Sequence, residues 1–225
     1  LYEFKDEYAN MPVDVQKDEE KGLYYVQKEK KRLYFRKSTP AKKIQKYYRA
    51  LSMEQDRRSP HHYFNSVKEV TGKVFVDVGC AEGYSSLEII EEAKHVYLFE
   101  QDEQWLEAIR ATFEPWQDKV TIVQKYVSDH NSSREQTLDD FFNNQTNEHL
   151  FLKMDIEGAE RHALTGCNNL FQNCQKLDFA ICTYHLRDDE EVISAFLDKH
   201  NCTYINQKGF FRHKIRSVVM RGSKK

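Results

Sequence analysis

The sequence predicts a doubly wound α/β domain: a seven-stranded, mostly parallel sheet that ends in an antiparallel hairpin, with a small N-terminal α+β extension. Three observations predict it. From residue 73 onward, short apolar runs alternate with helical patterns, as in successive βαβ units. Several of these runs are apolar at nearly every position, as strands covered by helices on both faces are. The first run leads directly into a glycine turn that opens a helix.

Residues 1–72 form the extension and 73–225 the main domain. In the extension, Tyr24-Tyr25-Val26 and Leu33-Tyr34-Phe35 predict a short hairpin, and 41–51 a helix. So small a unit holds no large core of its own, so it is expected to pack on the main domain as a lid on the acceptor side. In the main domain, strands are expected over 73–77, 95–100, 120–123, 150–154 and 177–181, with helices over 84–93, 103–113 and 158–165. The acids 188–191 open a further helix, with Val192, Ile193, Phe196 and Leu197 on one apolar face. Segments 202–206 and 210–219 then read as two strands joined around Gly209.

The chain has 225 residues, 40% hydrophobic and 31% charged, and no run approaches the roughly 18 apolar residues of a membrane span. Five cysteines without a C-x-x-C pair suggest neither a disulfide framework nor a zinc knuckle, and a reducing cytoplasm is expected. The net charge of −2 conceals a segment, residues 21–49, that carries +10. A solvated hairpin flank is the preferred reading of that segment. The alternative is attraction of an anionic acceptor, and nucleic acid is not expected as a partner.

The chemistry concentrates in Asp77-Val78-Gly79-Cys80-Ala81-Glu82-Gly83-Tyr84-Ser85, where a strand passes through the turn into a helix. Glycines at 79 and 83 would let the backbone approach a ligand, at the strand ends where ligands bind in open α/β sheets. The spacing is G-x-x-x-G and not the dinucleotide G-x-G-x-x-G, which disfavours a nicotinamide dehydrogenase. Asp77 could meet an ammonium or sulfonium. Glu100, ending the next apolar run, could accept the hydroxyls of a ribose.

These residues resemble the FkbM-type methyltransferases. The resemblance rests on 77–83, on Tyr97-Leu98-Phe99-Glu100, on Thr137-Leu138-Asp139-Asp140-Phe141 and, most distinctively, on Leu152-Lys153-Met154-Asp155-Ile156-Glu157-Gly158-Ala159-Glu160. It implies a Rossmann-like class I methyltransferase fold with S-adenosylmethionine as donor. O-methylation of a sugar, glycan or glycosylated metabolite is the implied reaction. Gln101 stands where the family often has proline. Carried over by motif, Tyr126, Val127, Ser128 and Asp129 border the adenine.

An alcohol acceptor must lose a proton during transfer, so a general base is wanted. Asp155 is the first candidate, followed by His185 and Glu157, all at the carboxyl ends of strands. Carboxylates beside a histidine could instead hold a divalent metal, which is not favoured because no dense ligand motif accompanies them. His61 and His62 read as surface residues, and Trp105 and Trp116 as helix packing. A methyltransferase acting on RNA, served by the basic segment, and a non-catalytic scaffold of the same fold are the rival functions.

Overall fold

The computed structural model describes residues 4–143, 148–211 and 214–224. The extension holds α1 (Lys5–Ala9), β1 (Val15–Asp18), β2 (Leu23–Lys28), β3 (Lys31–Tyr34) and α2 (Ala41–Glu54). The first half of the main domain runs through β4 (Val74–Val78), α3 (Tyr84–Ile89), β5 (His95–Phe99), α4 (Glu103–Phe113) and β6 (Val120–Val123). Then come β7 (Tyr126–Val127), β8 (Glu135–Gln136), α5 (Leu138–Phe141), β9 (His149–Met154), α6 (Glu160–Thr165) and α7 (Asn168–Asn173). The chain closes with β10 (Lys176–Cys182), α8 (Asp189–Lys199), β11 (Thr203–Phe211) and β12 (Lys214–Lys224).

The main sheet has seven strands in the order β11-β12-β10-β9-β4-β5-β6. The five from β10 to β6 are parallel, and β12 runs antiparallel between β10 and β11. This is the topology that the alternating pattern predicts. One detail differs: Gly209 does not make the hairpin turn but lies within β11, paired with Arg216. A Cβ there would run into the Pro60 ring, so the glycine serves to seat the extension against the edge strand. Arg212 and His213, inside the segment expected as the last strand, lie outside the described residues. Two helices are shorter than their patterns. The one after β4 stops at Ile89, with Ile90 and Ala93 buried from a turn, and the one after β9 starts at Glu160, behind Glu157 (φ 56°) and Gly158 (φ 101°).

The sheet has two buried faces. On one, Val76, Leu152, Phe179 and Ile181 meet Phe171, Ile193 and Leu197 from α7 and α8. On the other, Phe75, Val96, Leu87 and Ile109 share a single apolar cluster with Leu33, Phe35 and Ile44 of the extension. Each large side chain so buried contributes roughly 1.5–3 kcal/mol. That shared cluster is why residues 1–72 hold a structure with so small a core of their own. The three-stranded antiparallel sheet β1-β2-β3 includes one strand, β1, that the sequence pattern does not reveal.

Part of the basic segment is tethered to the main domain, while Lys30, Arg32, Lys37, Lys42, Lys43 and Lys46 are exposed as in a solvated flank. The Lys31 ammonium donates to the carbonyls of Leu87 (2.7 Å) and Glu88 (3.3 Å) at the end of α3, where orphan carbonyls collect. Lys28 sits 3.7 Å above the Tyr84 ring, Lys21 pairs with Glu114, and Arg36 pairs with Asp102. None of the described helices is long and apolar enough to cross a membrane.

Candidate active site

A cavity of about 700 Å³ opens at the carboxyl ends of β4, β5 and β9. The floor comes from the main domain and the roof from residues 35–63 of the extension. Strand ends converge there because each parallel strand stops and its chain turns away, leaving a crevice.

The turn after β4 supplies Asp77, Gly79, Cys80, Ala81, Glu82, Tyr84 and Ser85 to the wall, while Gly83 stands behind it. The two glycines are required by protein packing. At Gly79 (φ 79°) a Cβ would collide with the Asp155 carbonyl, and at Gly83 (φ 80°) it would lie 2.7 Å from the Phe113 ring. Gly79 therefore lets the turn close against the end of β9. Asp77, read from the sequence as a partner for a cationic ligand, is already engaged by the protein. Its buried carboxylate pairs with Lys153 at 2.8 Å and accepts from the Ser86 hydroxyl at 2.6 Å. Lys153 also donates to the Gly79 carbonyl at 2.6 Å. Burial draws its ammonium down, but Asp77 and Asp155 outweigh that and hold it well above its ordinary value.

Glu100 stands at the tip of β5 on the cavity wall. One oxygen accepts from the Ala81 N–H at 3.0 Å and the other from the Asp102 N–H at 2.7 Å, so the carboxylate braces the turn against the neighbouring strand. Burial raises its pKa against the opposing pull of those N–H groups. Gln101, Tyr126 and Val127 also line the cavity. Ser128 and Asp129 do not: Ser128 is buried, and Asp129 pairs with His130 outside.

At the far end stands Asp155, which accepts from the Tyr63 hydroxyl at 2.6 Å. His185 is not on the wall; the neighbouring Tyr184 takes that place. The His185 side chain is 8% exposed and lies behind Asp155, with Nε2 3.5 Å from Asp155 and Nδ1 2.9 Å from the buried Glu160. Burial draws its pKa down, but Glu160, Asp155 and Glu157 outweigh that and raise it, which favours an imidazolium among carboxylates. Glu157 lines the rim with its side chain 92% exposed. Asp155, Glu160 and His185 offer donor atoms within 4.8 Å of one another, a geometry a divalent ion could use.

Several wall residues have no role in the sequence reading, and four of them matter most. The Tyr47 hydroxyl donates to Glu82 at 2.8 Å, bridging roof and floor, and burial raises the Glu82 carboxyl. Tyr63 does the same for Asp155. Glu54, at the end of α2, and Lys153 complete the set. A signal for them exists. Tyr47, Leu51 and Glu54 follow the i, i+4, i+7 spacing of one helix face, so an acid sits on an apolar stripe. Lys153 likewise interrupts an otherwise apolar central strand. His61 and His62 are not surface residues: His61 packs on the Tyr184 ring, its pKa lowered to about 4 by burial, and buried His62 meets Arg221 at 2.8 Å. Trp105 lines the cavity beneath Arg36, 4.3 Å from its ring.

The sheet order and this crevice define a methyltransferase-like α/β protein. An FkbM methyltransferase from Methylobacillus flagellatus KT superposes with a TM-score of 0.55 at 16% identity, covering 82% of this chain and 55% of that one. The present chain thus spans about half the length of that protein. Magnesium protoporphyrin IX methyltransferase from Synechocystis PCC 6803, solved with bound SAM, gives 0.51 at 12% identity, over 84% of this chain and 86% of that one. At such identities the likeness concerns the fold. Among the curated proteins none matches. The methyltransferase FkbM domain matches residues 45–205, and the chain belongs to that family of methyltransferases.

Proposed function

We propose that the protein is an S-adenosylmethionine-dependent O-methyltransferase that methylates a hydroxyl of a sugar, glycan or glycosylated metabolite. The observation that carries this reading is one continuous cavity joining the Glu100 tip to the Asp155 end. Its volume of about 700 Å³ suits a nucleoside-sized ligand together with part of an acceptor. Glu100 and Gln101 would hold the ribose end, and Tyr126 and Val127 would border the adenine. When bound, the cofactor supplies an activated methyl group on a sulfonium, so alignment is most of what the protein must add.

Asp155 stands ready to hold the acceptor hydroxyl. Tyr63 fixes one of its oxygens, and His185, acting from behind, steadies the other. Residues 1–72 act as the acceptor-side lid, because their Tyr47, Glu54 and Tyr63 roof this end. Acids at 54, 82, 155 and 157 make an anionic acceptor unfavourable here, so a neutral polyhydroxy acceptor is the better fit. The five cysteines are unpaired, which fits a cytoplasmic setting.

Calorimetric titration with S-adenosylhomocysteine tests the reading. One-to-one binding is expected, weakened about 10- to 100-fold by Glu100→Ala, the range for a charged hydrogen-bonding group removed from a ribose. Absence of binding by the folded wild-type chain would reject it.

A further inference from the structure

We propose that Glu54, the last residue of α2, is the general base of the transfer, taking the proton of the acceptor hydroxyl while Asp155 holds that hydroxyl in place. The proposal rests on the reading above. It comes from comparing the carboxylates on the cavity wall. Asp77 is bound by Lys153 and Ser86, Glu82 by Tyr47, Glu100 by two backbone N–H groups, and Asp155 by Tyr63. Asp102 is paired with Arg36 and caps α4, and Glu157 is almost fully exposed to water. Glu54 is half-buried, lines the same cavity, and makes no hydrogen bond or ion pair with any described residue.

A half-buried carboxylate without a partner is unfavourable as structure and useful as a proton acceptor. Burial raises its pKa to about 7, and the charges of Asp155, Glu82 and Glu157, all on the same cavity wall, add to the effect. No cation is among the groups that act on it. A base is most effective when its pKa lies near the working pH. Glu54 and Asp155 thus divide the work as carboxyl pairs in unlike environments do.

The step balances without a further reactant. The acceptor oxygen forms its bond to the methyl carbon as the methyl–sulfur bond breaks, and that electron pair stays on sulfur. The hydroxyl proton passes to Glu54 and leaves from there to solvent through the cavity mouth.

The test compares wild type, Glu54→Gln and Glu54→Asp as full chains, with S-adenosylhomocysteine as binding probe and methyl glucosides plus labelled S-adenosylmethionine as the assay. Glu54→Gln is expected to keep S-adenosylhomocysteine affinity within about threefold while cutting kcat at least about a hundredfold. It should also abolish the rise of rate through about pH 7. Glu54→Asp, which keeps a carboxylate, should retain part of the rate and its pH dependence. A readout independent of any acceptor is the melting temperature. A carboxyl whose folded pKa is raised favours the folded state at low pH and loses that advantage as pH rises through about 7. Glu54→Gln should therefore melt higher than wild type at about pH 8 and not at about pH 5. An unchanged melting difference across that range, or a Glu54→Gln variant that keeps the wild-type rate and pH profile, would overturn the proposal. Wild-type protein that fails to bind S-adenosylhomocysteine, or binds it yet methylates no glucoside, would instead overturn the reading on which it rests.

Discussion

Replacing Lys153 by Met is expected to cost about 3–5 kcal/mol of folding stability, because it leaves the buried Asp77 carboxylate without its cation. The measurement is a denaturant midpoint at unchanged slope. Both partners lie in the sheet interior, Asp77 on β4 and Lys153 directly beside it on β9, with side chains 1% and 6% exposed. The lost ammonium also releases the Gly79 carbonyl, so the glycine turn loosens at the same time. Combining Lys153→Met with Asp77→Asn removes the stranded charge and should recover at least about 1 kcal/mol relative to the single variant. A double variant that is no better than Lys153→Met would mean the loss comes from packing and not from the charge.

Gly79→Ala is expected to be the most damaging single-methyl change in the chain, costing more than about 3 kcal/mol and abolishing S-adenosylhomocysteine binding in whatever protein still folds. Two penalties coincide there. The backbone is left-handed (φ 79°), and the new methyl would meet the carbonyl of Asp155, which as backbone has little room to yield. Moving that carbonyl displaces the end of β9 and with it the acceptor side of the cavity. Gly72 is the matched control: its φ of 72° is similar, but no atom lies within 4 Å of its added Cβ. Gly72→Ala should therefore cost only the conformational penalty, about 1–2 kcal/mol. Similar losses at the two positions would show that φ, and not the contact with β9, sets the requirement at Gly79.

The sheet and the floor of the cavity were legible in the sequence because both are local. Runs such as Val74–Val78 and His149–Met154 are apolar at most positions, and the turn between Asp77 and Gly83 follows its strand without interruption. What the sequence hid depends on contacts between distant segments. Asp77 reads as a free carboxylate until Lys153 is placed beside it from 76 residues away, and the contact with the Asp155 carbonyl that demands glycine at 79 shows only once the end of β9 is placed against the turn. Gly209 reads as a turn for the same reason: the Pro60 ring that demands it comes from the extension. The roof was invisible for a further reason. Tyr47, Glu54 and Tyr63 gain meaning only from Glu82, which the chain reaches after β4, and from Asp155, which it reaches after β9.

The placement of β12 between β10 and β11 sets the order in which the molecule can be completed. Among the described residues β11 pairs with β12 alone, which follows it in the chain. The half of the sheet from β4 to β9 can assemble while the chain is still growing. The edge beyond β10, however, stays open until residues 214–224 arrive. During that interval the backbone groups along β10 are an unpaired strand edge, the kind of surface from which chains misassociate. The strand that completes the sheet is thus the last one in the described chain, and its arrival covers two strand edges at once.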